Sequence, residues 1–293
     1  MTTVSRVRNQ RVWPYLFPAF LFLFVFVYGP AVMAFVASLF NTSITSAQWD
    51  FVGLDNYRAA LADPDVSSAA VNTFWYALIT VVPSIGLGLG LAVAVDGLSR
   101  GRGLARTLLF LPMTANLVAM SIVFSWIFAY QGGFVNSVLG LVGVGPLNFL
   151  GDSSTALPTV AALGLWRATS FNLVIYAAGL TTIPDAIHQA CAMDGVRGWA
   201  KLRRVLWPLL KPSTVFVTVI TFIQAIQVFD AVAVMTGGGP IGATETLLFL
   251  VWRLGFQVFR LGYASAIAFL MLVGIVVIGL ARTRSGLRGR ADA

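Results

Sequence analysis

The chain's chemistry rests on a few polar side chains set inside long apolar runs: Asn116, Arg167, Asn172, Thr221, Gln224, Gln227 and Asp230. A charge at the centre of a bilayer costs roughly 2.5 to 3.5 kcal/mol on insertion scales, so intramembrane ionisable residues are candidates for function. Arg167 falls near the middle of its apolar run and Asp230 in the outer half of another. Two readings stand open for them, a structural pair with each other or contacts to a polar solute. Thr221, Gln224, Gln227 and Asp230 recur every third residue. On an unbroken helix each such step falls about 60° short of a full turn, so the row winds half-way around and does not share one face. Neighbouring pairs can then line a cavity while others bond adjacent helices, as Asn116 and Asn172 can, at about 0.6 kcal/mol each on average.

Bond-making chemistry lacks its parts. Cys191 is the one cysteine and His188 the one histidine, which precludes an intrachain disulfide, a cysteine-built metal site and a His-x-x-x-His motif. The sequence has no G-x-x-x-x-G-K-[ST] phosphate loop, hence no evident means of holding ATP, and no nucleophile, base and metal cluster of the kind an enzyme needs. Catalytic residues, metals and cofactors are therefore not expected in this chain.

The elements that carry these residues follow from composition. Of 293 residues, 58% are hydrophobic and 10% charged, whereas soluble domains are about 25% charged. The expected fold is an all-α polytopic membrane protein, one transmembrane domain over 1–293. Six apolar stretches approach or exceed the roughly 20 residues that cross the hydrocarbon core: 14–40, 72–95, 104–130, 157–180, 205–235 and 263–280, the third and fifth least continuous. The spans from 72 to 281 form the core. The first run follows Arg6, Arg8 and Arg11, yet it is too long for a signal peptide's apolar region and lacks a convincing cleavage site, so an uncleaved helix is expected.

The net charge of +8 raises nucleic acid as a partner, and the positions of the charges argue against it. With the N-terminus inside, 15 of 19 Lys and Arg residues fall on cytoplasmic segments. They are Arg6, Arg8 and Arg11, then Arg100, Arg102 and Arg106, then Arg197, Lys201, Arg203, Arg204 and Lys211, and finally Arg282, Arg284, Arg288 and Arg290. Such asymmetry predicts both termini in the cytoplasm. Outside, 41–71 predicts an ordered or short helical excursion broken at Asp63-Pro64. The Gly-rich stretch 131–155 is expected to re-enter the membrane edge in part. Gly237, Gly238, Gly239 and Pro240 form either a flexible linker or a loop that touches substrate or a partner.

The basic connection 184–208 looks built. Pro184 and Asp185 suit a helix's first turn, Ile187, Ala190/Cys191 and Met193/Asp194 recur at helical spacing, and Gly195 can end the helix. A basic amphipathic stretch from Arg197 to Arg204 then leads into the fifth span, so a short helix is expected to lie across the membrane face.

Gln189-Ala190-Cys191-Ala192-Met193-Asp194-Gly195, followed by Pro208, resembles the Glu-Ala-Ala…Gly loop of permease subunits from binding-protein-dependent ABC importers. Phe51-Val-Gly-Leu-Asp-Asn-Tyr57, Arg100-Gly-Arg-Gly-Leu-Ala-Arg106 with Leu111-Pro112, Trp166-Arg167, and Thr236-Gly-Gly-Gly-Pro240 with Gly242-Ala-Thr-Glu245 are similar to the carbohydrate-uptake branch. The resemblance covers roughly residues 13 to 281. It implies a non-enzymatic subunit of the bacterial inner membrane, half of a translocation pathway for a sugar or glycerol-3-phosphate-type solute. Its partners would be a second permease, two ATPase subunits that bind ATP and Mg, membrane lipid and an extracytoplasmic substrate-binding protein. An autonomous secondary transporter is the alternative, against which stand the coupling-like loop and the lack of a detectable inverted repeat. The resemblance also makes 184–208 the coupling helix, seated in a groove of the ATPase: small residues at 190 to 192 allow close approach, Gly195 turns the chain and Asp194 offers a cap or charged contact. Where that family carries glutamate this chain has Gln189, which keeps hydrogen bonding and drops the charge. Cys191 stands in an alanine position, as a small apolar substitute or a redox-sensitive thiol.

Overall fold

The computed structural model describes residues 13–43, 49–98 and 100–291, with side chains placed between 15 and 277. Arg6, Arg8 and Arg11 lie outside the described residues, as do the side chains of Arg282, Arg284, Arg288 and Arg290. Helices dominate. In chain order they are α1 (Trp13–Leu23), α2 (Gly29–Ser38), α3 (Asp55–Ala62), α4 (Pro64–Asp96), α5 (Arg102–Thr114), α6 (Leu117–Ile127), α7 (Phe134–Leu141) and α8 (Ala156–Thr181). There follow α9 (Asp185–Met193), α10 (Gly198–Lys201), α11 (Trp207–Leu209), α12 (Lys211–Ile226), α13 (Asp230–Met235), α14 (Leu247–Trp252) and α15 (Leu261–Ala291). Single π turns at Phe24–Tyr28, Leu202–Leu206 and Arg253–Gln257 join neighbouring pieces.

Six spans were the expectation, the third and fifth the least continuous; the described residues hold three long uninterrupted helices, and the third and fifth runs are broken. Tyr15–Ser38, Pro64–Asp96 and Ala156–Thr181 are long and apolar enough to cross a membrane. The third and fifth runs are bent pairs, α5 with α6 at 98° and Gly198–Leu209 with α12 at 76°. Leu261–Val277 is apolar but shorter. The first bend has a local cause. Ala115 leaves the helix with ψ 142°, and Asn116 restarts it as an N-cap, its Oδ1 accepting from the Ala119 amide at 3.1 Å. Asp63-Pro64 separates α3 from α4 and also starts the latter: Asp63 accepts from the Asp65 amide at 2.9 Å and Pro64 takes the first helical position. The second crossing thus begins eight residues before position 72, where the apolar run suggested.

The excursion at 41–71 is ordered where it is described. Phe40–Asn41 (β1) pairs antiparallel with Asp50–Phe51 (β2). Asn56 donates to the carbonyls of Ser38 and Phe40, and the Tyr57 hydroxyl lies 2.6 Å from Ser38 Oγ. These bonds fasten the Phe51–Tyr57 motif to the end of α2. The stretch 131–155 folds around Asn136, which is buried, donates to the carbonyls of Ala129, Tyr130 and Leu147, and accepts from the Leu147 amide.

Packing divides the bundle into three layers along α4. At one end Ala60, Ala69, Leu250, Leu254, Tyr263 and Ile267 form a cluster. In the middle Tyr76, Val81, Val160, Leu163, Val232 and Phe249 pack together. At the other end Leu89, Leu173, Tyr176, Ile183, Leu206 and Leu210 do so. Helices α4 and α8 approach closely at Gly88, where an added Cβ would stand 2.6 Å from Asn172 Cβ. Small residues permit this in lipid, where helix association depends on van der Waals contact and polar bonds.

Two outcomes test this frame. Gly88→Leu should abolish recovery of monodisperse protein in detergent, whereas Gly86→Leu, in open space, should be recovered normally by size-exclusion chromatography. The second concerns Asp63. A hydrogen bond from the Tyr263 hydroxyl, 2.6 Å from Asp63 Oδ2, is the main cause holding that carboxyl below its ordinary range. A depressed folded-state value makes the bond's contribution complete above the unfolded value of about 3.9, and it fades as pH falls through the folded one. Tyr263→Phe should lower the thermal midpoint at pH 7, and its difference from wild type should shrink below about pH 4.

Candidate functional site

A cavity of about 280 Å³ lies between α4, α8, α12 and α13. Tyr76 and Thr80 line it from α4, Gly164 and Arg167 from α8, and Thr221 and Gln224 from α12, with Leu117 of α6 at its edge. Gln227 and Asp230 complete it.

The row at every third residue reaches this cavity because the helix breaks. Helix α12 ends at Ile226, Phe229 takes φ −136° and ψ −59°, and Asp230 opens α13. With the helix broken there, Thr221, Gln224, Gln227 and Asp230 all line one cavity. Thr246 Oγ1, fully buried, donates to the Val228 carbonyl at 3.2 Å and so serves one of the backbone groups that the break frees. Arg167 and Asp230 share the cavity, and among the described residues no ion pair within 4.0 Å joins them. The arrangement offers a cation, an anion, two amides and three hydroxyls around one space. Such a set has the chemistry to hold a polar, hydrogen-bonding solute, and among these lining residues there is no nucleophile–base pair.

Asn116 and Asn172 lie apart from the cavity. Asn116 is exposed and spends its side-chain oxygen on the α6 cap. Asn172 is fully buried, donates to Ser84 Oγ at 3.1 Å and accepts from Thr221 Oγ1 at 2.9 Å, tying α8 to α4 and α12. Tyr76, Thr80 and Thr246 were missed in the sequence. Each is a common residue in an apolar or loop context, and only the packing of distant segments marks it.

The segment 237–240 is no loose linker. The Thr236 and Thr244 hydroxyls lie 2.7 Å apart, Thr244 donates to the Gly239 carbonyl at 2.7 Å, and the Gly239–Pro240 peptide is cis. Asn72 donates to the carbonyls of Gly242 and Glu245, and Arg253 clasps the Glu245 carboxylate at 2.6 and 3.1 Å. Gly237, Gly238 and Gly239 are thereby fixed at the end of the bundle away from α9.

At that other end α9 forms as its sequence predicts. Pro184 precedes it in extended conformation and Asp185 occupies its first turn. Gly195 stops it at φ +68°, with the Val196 amide bonded to the Cys191 carbonyl at 2.8 Å and the Gly195 amide to Ala192 at 3.3 Å. This closure by a left-handed glycine is the Schellman arrangement. One side of α9 is buried: Cys191 is 6% exposed, and Ile183 and Ile187 pack with Leu206 and Leu210. The other side, Gln189, Ala190, Ala192, Met193 and Asp194, is open. Of the small residues at 190 to 192, Cys191 therefore faces inward against the bundle and not toward a partner. Pro208 is exposed in α11, and Lys201 Nζ lies 3.0 Å from His188 Nδ1, linking α10 to α9.

Residues 84–286, which include α8, α9, α12 and the cavity's lining apart from Tyr76 and Thr80, match the family described as "Binding-protein-dependent transport system inner membrane component". The chain belongs to this family. It is 30% identical to the probable ABC transporter permease protein YurN of Bacillus subtilis, over 98% of this chain and 100% of that one. It is 30% identical to the sn-glycerol-3-phosphate transport system permease UgpA of Agrobacterium fabrum over 94% of each chain. It is 32% identical to the sulfoquinovosyl glycerol permease SmoG of the same organism, over 87% of this chain and 83% of that one. The fold is that of a chain in a bacterial alginate ABC transporter crystallised with a pentasaccharide-bound periplasmic protein, with a TM-score of 0.82 at 20% identity over 92% and 91% of the two chains.

The permease cavity and its polar packing should separate under mutation. Arg167→Ala should reduce solute uptake per folded molecule with little change in thermal midpoint. Asn172→Ala leaves the Ser84 and Thr221 hydroxyls short of a partner and should lower the midpoint, at a cost of about 1 kcal/mol, with uptake per folded molecule retained. Radiolabelled uptake normalised to folded protein reads both.

Proposed function

We propose that this permease forms half of the translocation pathway of an ATP-driven importer for a sugar or glycerol-3-phosphate-type solute. Its relatives include permeases of transport systems for sn-glycerol-3-phosphate, sulfoquinovosyl glycerol and trehalose or maltose. Six crossings with both ends in the cytoplasm fit the charge asymmetry: three uninterrupted helices, two bent pairs and the apolar start of α15. A second permease covers the open side of the cavity, and a periplasmic binding protein delivers solute at the end where Gly237, Gly238, Gly239 and Pro240 stand. Two separate ATPase subunits bind ATP and Mg and hydrolyse the nucleotide, so the permease itself breaks no bond.

The observation that carries the reading is α9. It is a short helix with an open face of Gln189, Ala190, Ala192 and Met193, whose back is packed into the same cluster as α8 and the start of α12. Such a helix acts as a lever. A partner that grips the open face and moves it must move the feet of two helices that line the cavity. ATP-driven closure of the ATPases then favours one of two states of the pathway by population shift.

Gly195→Pro deletes the amide that donates to Ala192 and demands φ near −65° where the chain has +68°. It should abolish substrate-dependent ATP hydrolysis by the reconstituted complex, while the ATPase still co-purifies at least in part. Unchanged coupled hydrolysis would remove the lever assignment. Transport by the chain alone in liposomes, on an ion gradient without ATP, would show a secondary transporter instead.

A further inference from the structure

The chain between Gly195 and α12 carries a second exposed row that the lever does not use. Leu202, Leu206 and Leu210 recur at intervals of four and turn inward to the cluster with Leu173 and Tyr176. Trp199, Arg203 and Trp207 recur at the same interval on the outside, with Trp199 73% and Trp207 39% exposed. The π turn at Leu202–Leu206 holds more residues per turn than an α-helix, which keeps both rows straight. Arg204 is exposed beside Arg203, and Arg197 and Lys211 are exposed at the two ends. Among the described residues none of these four cations has a carboxylate within 4.0 Å, whereas Arg102 and Arg106 are both paired with Asp96. The segment meets α12 at 76°, so it runs across the end of a span and not along it.

We infer that the row Trp199–Arg203–Trp207, with Arg204 and Lys211, is a binding site for the headgroup of an anionic phospholipid in the leaflet beside α9. Charge complementarity selects the occupant: unpaired cations at the foot of a span attract phosphate-bearing lipid, each worth roughly a factor of five in affinity. The indoles fix the depth, because a ring with an apolar body and a polar N–H settles at the headgroup level. A bound lipid anchors the α10–α11 arm to the membrane. The inference needs α12 to enter the membrane and does not depend on the coupling role of α9.

The test uses the full chain with its co-expressed partner subunits in nanodiscs that contain brominated phosphatidylglycerol or brominated phosphatidylcholine at equal mole fraction. Bromine quenches nearby tryptophan, and Trp199→Phe with Trp207→Phe isolates the share of quenching that belongs to the row. That share should be larger with phosphatidylglycerol, and Arg203→Gln with Arg204→Gln should cut the preference by about 30-fold. Arg203→Lys with Arg204→Lys should retain it, which separates lost charge from lost folding. Equal quenching by the two lipids would overturn the inference. So would a preference seen only after the ATPase is stripped away, since the row would then be a protein interface. Loss of the preference on adding inorganic phosphate would also overturn it, by making the site one for free anion; in a lipid site the preference survives.

Discussion

A helix interrupted inside a membrane frees backbone groups that water cannot reach, so each interruption needs partners from elsewhere in the chain. The break after Ile226 is the one on which the cavity depends. Without it the residues at 221, 224, 227 and 230 would wind around α12 and part of the row would point away from Arg167. Thr246 allows the break by donating to the Val228 carbonyl. Thr246 is in turn held by its neighbours, because Glu245 is clasped by Arg253 and Asn72 binds the carbonyls on either side of the turn. A bond network at the end of the bundle therefore sets the position of side chains in its middle.

The opposite end is governed by shared packing. Ile183, Leu206 and Leu210 belong to one cluster with Leu89, Leu173 and Tyr176, so α9 has no core of its own. Interiors packed at this density do not deform continuously; they shift between discrete arrangements. A displacement of α9 is consequently a displacement of the ends of α8 and α12. Asn172 couples those helices again at greater depth through Ser84 and Thr221. Thr221 also lines the cavity, so one side chain belongs both to the frame and to the site.

How much of this was legible in the sequence differs by element. Helix α9 was readable residue by residue, from Pro184 to the stop at Gly195, because caps and left-handed glycines are local. Apolar runs located the long helices but not the bends, since hydropathy is blind to a cap such as Asn116 that restarts a helix at a new angle. Periodicity misjudged the row ending at Asp230 for a related reason: its geometry is set by Thr246, eighteen residues away from the carbonyl that it serves. The inward direction of Cys191 and the burial of Asn172 were likewise beyond reach, because composition gives a residue's type and only packing gives its side.

The exposed surface explains why one chain builds only part of a pathway. Gln224 and Gln227 line the cavity and are open to the outside of the isolated bundle. An unbonded amide facing hydrocarbon is costly, so these two side chains require either water or another protein surface beside them. Helix α1 shows the complementary condition. From Tyr15 through Leu23 its side chains are exposed and almost all apolar, and lipid gives no hydrophobic force to fold it back on its own chain. A polar opening that needs cover and an apolar helix that extends from the bundle are the two surfaces that the second permease proposed above would have to meet.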